Sequence, residues 1–133
     1  MANTSQPEPL FWIASTCDDL REFPNEVRQI IGYGPYLAQM GDKHLNAKPL
    51  KGFDGAGSLE IVADHDGDTY RAVYTVRFAD AIYALHVFQK KSRRSIATPK
   101  REIERIRGRL RQAQEHYETW RRQPGEVKQH ESI

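Results

Sequence analysis

The sequence predicts an α+β fold in which a small antiparallel sheet of about four strands packs with an N-terminal helical hairpin and a long C-terminal helix. Three observations carry this. Residues 69–91, TYRAVYTVRFADAIYALHVFQKK, hold two β-branched and aromatic runs separated only by Ala79-Asp80, the pattern of a tight hairpin. Upstream, SLEIVA at 58–63 is followed by the turn residues His65-Asp66-Gly67-Asp68, so three successive strands form a meander. After Pro99, Ile103, Ile106, Leu110, Ala113, Tyr117 and Trp120 recur in steps of three and four, which is one face of a helix.

Each element has a local reason. The apolar run LFWIA at 10–14 reads as a short strand added at one edge of the sheet. Ser15 or Thr16 can cap a helix whose first turn holds Asp18 and Asp19, acids that suit the positive end of the helix dipole. Pro24 can begin a second helix with Phe23, Val27, Ile30 and Ile31 on its apolar face, and Gly32, Gly34 and Pro35 are expected to break or kink it before a shorter piece at 36–40. Residues 43–57 read as a loop containing KPLKGF, in which Leu50 and Phe53 anchor the segment and Lys48 and Lys51 stand on it. Thr98 as cap and Pro99 in the first helical position start the last helix, and Pro124-Gly125 ends it. The organisation expected is a disordered N-terminus at 1–8, one domain at 9–123 and a polar tail at 124–133.

Composition narrows the class. With 133 residues, 38% hydrophobic and 29% charged, the chain is one soluble domain. No apolar run approaches the roughly 20 residues of a membrane span, and MANTSQPEPL has no basic region leading into an apolar core, so the expected compartment is the cytoplasm, with no membrane partner. The lone Cys17 excludes an internal disulfide and a cysteine zinc site, and the five histidines lack ligand spacing, so neither metal nor cofactor is expected. The net charge of +2 hides a segregation: residues 54–68 hold five acids and no Lys or Arg, whereas residues 90–111 hold ten Lys or Arg against Glu102 and Glu104. Such a block suits a polyanion, nucleic acid first, or else a solvated helix face.

If Ala79-Asp80 is a two-residue turn, Arg71, Val73, Thr75 and Arg77 share a face with Ile82, Ala84, His86, Phe88 and Lys90. The opposite face, with Tyr70, Ala72, Tyr74, Val76 and Phe78 beside Tyr83, Leu85 and Val87, is the expected core. Core burial does not explain the cations on the first face. Cleavage of RNA beside a 2′-hydroxyl needs a base, cations for the phosphorane and an acid for the 5′-oxygen, and Arg71, Lys90, Lys51 and His86 are the catalytic candidates. Arg71 leads, because a rigid guanidinium bonds two phosphate oxygens and stays charged. His86 has the intrinsic pKa for proton transfer, although a histidine between apolar neighbours on a strand also serves packing. Lys48, Arg77, Phe88, Lys91, Arg93 and Arg94 are the substrate-binding candidates, with Phe88 either stacking on a base or joining the core.

The element order, with KPLKGF, DGDTYRAVYTVRF, ALHVFQKKS and IATPK, resembles the phage-related HigB-like branch of the RelE/ParE toxin superfamily over about residues 10–110. The resemblance implies a RelE-like fold and the toxin of a type II toxin-antitoxin module, a metal-independent mRNA endoribonuclease acting on the ribosome. It implies a helix-turn-helix antitoxin of the XRE type as partner, and contact with operator DNA only through that antitoxin. Arg71 then matches the arginine at the scissile phosphate, Lys90 and Lys91 the basic pair ending the last strand, and Lys51 the loop lysine. Glu60 stands where RelE relatives carry lysine, and Ala97-Thr98 replaces a tyrosine after the basic pair. A gyrase-targeting or non-catalytic toxin of the ParE type, or a basic nucleic-acid-binding module, are the alternatives.

Overall fold

A computed structural model describes residues 8–41, 47–50, 57–90 and 98–122 of the chain. The meander expected from SLEIVA and the central hairpin forms the middle of a five-stranded sheet: β1 (Leu10–Trp12), β2 (Ala47–Pro49), β3 (Ser58–His65), β4 (Asp68–Thr75) and β5 (Ile82–Lys90), in spatial order β1-β5-β4-β3-β2. β1 lies parallel to β5 at one edge, and the other neighbours are antiparallel. The fifth strand, β2, comes from the segment read as loop; its three residues pair with β3 and set Lys48 opposite Glu60. Between β3 and β4 the turn is as tight as the Asp-Gly pair implies. His65 pairs with Asp68, and Asp66 and Gly67 both take positive φ, 52° and 87°.

The second hairpin departs from the expected register. β4 and β5 are joined by residues 76–81 rather than by two, and Leu85 is an extra residue, because Val73 pairs with His86 while Tyr74 pairs with Ala84. Arg71 still faces Phe88 as the sequence predicts, but beyond the bulge the two faces exchange partners. Tyr83 and Leu85 join Val73, and Ile82 and Ala84 join Tyr74. Val76, expected in the core, is 38% exposed past the strand end.

Helices cover both sheet faces. On one side α1 (Thr16–Arg21) and α2 (Asn25–Gln39) bury Leu20, Val27, Ile31 and Ala38 against Ile61, Ala63, Tyr70, Ala72, Tyr74 and Val87. On the other, α3 (Lys100–Trp120) lays Ile106, Ala113, Tyr117 and Trp120 on Phe11, Ile13, Val73, Tyr83 and Leu85. The face expected to be cationic and open therefore carries a helix along its apolar half. Tyr117 and Trp120 pack on Phe11 and Phe78, and the Tyr117 hydroxyl donates to Asp80 at 3.0 Å.

α2 runs unbroken through Gly32, Gly34 and Pro35, where a break was expected. Packing overrides propensity here. A Cβ on Gly34 would stand 1.9 Å from Ile61 Cδ1, so glycine is what lets the helix close onto β3. The terminal segments at 1–7 and 123–133 lie outside the described residues, while the Glu8 amide donates to the Gln39 carbonyl at 3.1 Å. Among the described residues no helix is long and apolar enough to cross a membrane.

Gly32 and Gly34 are expected to respond oppositely to alanine. Nothing lies within 4 Å of a Cβ on Gly32, so Gly32→Ala should stabilise by about 0.5–1 kcal/mol. Gly34→Ala should destabilise by about 1–3 kcal/mol through overpacking, and Ile61→Val should recover part of that loss. Urea midpoints check the pair, and equal responses at the two sites would contradict the account.

Candidate functional site at the start of the C-terminal helix

The strand register gathers one row of polar residues on the α3 face. Arg71 lies opposite Val62 and diagonal to Glu60, and Lys48 lies opposite Glu60 on the edge strand. Arg71 also faces Phe88, and Thr69 faces Lys90. Arg71 Nη1 donates to Glu60 Oε2 at 2.9 Å, and the Thr98 hydroxyl donates to the same oxygen at 3.1 Å. The pair is shut in, its side chains 8% and 15% exposed. Arg71 Nε is buried without a hydrogen-bond partner among the described residues, a position that costs roughly 1–3 kcal/mol unless something meets it.

Thr98 accordingly does not cap α3. The helix begins one residue later than expected, with Pro99 in the cap position, and the Thr98 hydroxyl reaches across to β3 instead. Lys90 is 9% exposed. Burial and then the neighbouring Arg71 lower its pKa from the ordinary lysine value, and Glu60 partly opposes them.

His86 occupies a second cluster, held from both sides by α3. Its Nε2 lies 2.6 Å from Glu102 Oε1 and its Nδ1 lies 2.9 Å from Arg109 Nη1. A guanidinium can only donate, so Nδ1 is the acceptor and Nε2 carries the proton given to Glu102. The imidazole is thus neutral and bridging. Burial holds its pKa below the usual value against the raising effect of the Glu102 hydrogen bond, and Arg109 and Arg105 add to the lowering. Arg109 continues inward to the Leu85 carbonyl at 3.1 Å and Thr16 Oγ1 at 3.2 Å, which joins α1, β5 and α3. Phe88 stacks on His86, with centroids 5.2 Å apart, and is itself buried.

Of the residues proposed from sequence, Arg71, Lys90, His86, Phe88 and Lys48 share this face. Arg77 does not belong to the group. It lies beyond β4, exposed over Phe78, six residues and so about 20 Å along the chain from Arg71. Lys51, Lys91, Arg93 and Arg94 lie outside the described residues. The residues that the sequence reading left without a role in the site are Glu60, Thr98, Glu102 and Arg109, of which Thr98 was read only as a helix cap. Glu60 was within reach of that reading, since the Asp66-Gly67 turn alone sets it on the face of Arg71. Glu102 and Arg109 are seven residues apart and border the stripe of Ile106 and Ala113, a position that reads as a partly buried helix edge.

An antiparallel meander sandwiched between two N-terminal helices and one long C-terminal helix, with an arginine–glutamate pair on the central strands, defines a small α+β domain. A family profile described as "Phage derived protein Gp49-like (DUF891)" matches residues 18–111, and the chain belongs to that family of RelE-like toxins. Among solved structures it is similar to a chain of the toxin-antitoxin complex RelBE2 from Mycobacterium tuberculosis, at 16% identity and a TM-score of 0.43, over 68% of this chain and 100% of that one. A comparison with curated proteins finds no match.

The His86 bridge makes stability depend on pH. Its folded pKa lies below the 6.5 of the free side chain, so on acidification the unfolded chain takes up a proton that the folded chain refuses. Stability should fall as pH drops below about 6.5 towards the folded value and should be unaffected by this group above that range. Urea unfolding at about pH 7.5 and about pH 5.5 should show a smaller difference in His86→Gln than in the parent; an identical difference would contradict the bridge.

Proposed function

We propose that this chain is the toxin of a type II toxin-antitoxin module and acts as a metal-independent mRNA endoribonuclease, with Glu60 as general base, Arg71 as phosphorane ligand and Lys90 as general acid. The observation that carries the reading is the unmet Nε donor of Arg71 beside the Glu60 carboxylate, because a phosphate oxygen is the acceptor such a fork binds best. Glu60 takes the 2′-hydroxyl proton as the 2′-oxygen attacks phosphorus. The Arg71 guanidinium holds the equatorial oxygens, and Lys90 protonates the departing 5′-oxygen. Burial and the neighbouring Arg71 lower the pKa of Lys90, the direction that suits a proton donor. His86 takes no part in these transfers, since both its ring nitrogens are committed to α3.

RNA reaches the pair when the Thr98 bridge at the start of α3 opens. Lys48, exposed on the edge strand opposite Glu60, lies on the side from which a strand would enter. The motifs shared with RelE toxins support the rest of the proposal: action on ribosome-bound mRNA, neutralisation by a helix-turn-helix antitoxin, operator contact through that antitoxin, and a cytoplasmic site of action. One observation favours a second reading, in which the toxin acts by protein contact and the pair is purely structural. Both partners are almost wholly buried and satisfied by each other through Nη1.

The double substitution Glu60→Gln, Arg71→Met separates the two. Removing both charges of a buried pair together is close to neutral for stability or favourable, whereas losing one alone costs about 3–5 kcal/mol. The catalytic reading expects a folded protein whose cleavage falls by at least about 10⁴-fold, from loss of base and phosphate ligand together, with growth arrest abolished. Primer extension on translated messages after induction checks this. Undiminished cleavage would end the assignment of these residues, and growth arrest without any cleavage in the parent would favour the protein-contact reading.

A further inference from the structure

The outer face of α3 carries more exposed positive charge than helical stability favours. Lys100, Arg101, Arg105, Arg107 and Arg111 are all exposed along its first three turns, against one exposed acid, Glu104. Lys100 and Arg101 occupy the first turn, where the helix dipole disfavours cations, and the last turn has no base. Arg101 and Arg105, and again Arg107 and Arg111, stand four residues apart, a like-charge spacing that destabilises a helix by about 0.2–0.5 kcal/mol per pair. Arg101 Nε lies 3.9 Å from Glu102 Oε2, and all five residues stay exposed. The second half of the helix is ordinary by contrast, with Glu115 and Glu118 exposed and Arg122 paired to Glu118 at 3.6 Å.

Gly108 belongs with this face. It lies three residues from both Arg105 and Arg111 in the middle of the cationic surface, and nothing stands within 4 Å of a Cβ built there. Internal packing therefore does not require glycine, which costs a helix interior roughly 0.5–1 kcal/mol relative to alanine. A bare stretch of helix between arginines allows a polyanion to come close to the backbone.

We propose that this face of α3 is a docking surface for the backbone of duplex RNA, separate from the Glu60–Arg71 pair; the choice of RNA rests on the ribonuclease reading. The surface is a rigid rod about 17 Å long, and its arginines suit forked contacts to phosphate oxygens. It has no exposed aromatic residue on which single-stranded bases would stack. It also lacks the apolar anchors that a protein partner needs; the exposed large hydrophobics, Tyr33, Tyr36, Met40 and Val76, lie on α2 and after β4. Phosphate recognition alone remains, and a duplex presents phosphates in fixed rows. Docking there would hold a structured RNA against the toxin while a single strand enters beside Thr98.

The test uses the full-length chain carrying Glu60→Gln and Arg71→Met together, so that the buried pair is removed as a unit and binding is read whether or not the pair cleaves. Affinity for a short mixed-sequence RNA duplex is measured by fluorescence anisotropy between about 50 and 200 mM salt. Arg101→Gln, Arg105→Gln and Arg111→Gln together should reduce the slope of log affinity against log salt by about 2–3, which flattens the salt-dependent loss of affinity roughly 40-fold. The same three positions changed to Lys should keep the slope, and the Gln variant should unfold no earlier than the parent. An unchanged slope in the Gln variant, no binding by the parent, or tighter binding of a DNA duplex or a polyglutamate peptide than of RNA would each overturn the proposal.

Discussion

The position of α3 depends on one buried imidazole. His86 receives a hydrogen bond from Arg109 on one nitrogen and gives one to Glu102 on the other, and those two residues lie about two turns apart on the same helix. Neither charged residue could be buried against a sheet without such a partner, because an uncompensated charge in the interior costs several kcal/mol. The bridge therefore does more than add a contact. It sets which turn of α3 lies over β5, and Arg109 extends the constraint to the Leu85 carbonyl and Thr16 at the start of α1.

The bulge at Leu85 is what makes the bridge compatible with an apolar core. An extra residue in β5 lets Leu85 and Tyr83 pack beneath Ile106 and Ala113 while His86, next in sequence, still reaches α3. The face is thus divided along its length. Its β1 end is hydrophobic and sealed by Tyr117 and Trp120, and its other end holds the Glu60–Arg71 ion pair and Glu102 hydrogen-bonded to the neutral His86. At the polar end, among the described residues, an unmet cationic donor lies beside a carboxylate and an amine.

Much of this was legible in the chain. Alternation in β3 and β4, the Asp66-Gly67 turn and the stripe from Ile103 to Trp120 report short-range preferences that packing did not need to overrule, and the pairing of Arg71 with Phe88 followed from counting. What failed did so where tertiary contact decides. Gly34 and Pro35 read as helix breakers, yet the same glycine is what admits Ile61 under an unbroken α2. A single inserted residue at Leu85 exchanged the partners of the two faces, and no local pattern announces a bulge of that kind. Arg71 was read as an exposed cation because its counter-ion comes from a neighbouring strand. The same turn that fixed the register already set Glu60 beside it.

The central claim is that Glu60 and Arg71 act on a ribose 2′-hydroxyl and its adjacent phosphate without a metal. That chemistry leaves a signature on the RNA itself. Purified chain incubated with programmed ribosomes in excess chelator, followed by analysis of the fragment ends, should yield 2′,3′-cyclic phosphate on the upstream piece and a free 5′-hydroxyl on the downstream piece. Fragments bearing a 5′-phosphate and a 3′-hydroxyl, or cleavage abolished by the chelator, would contradict the account.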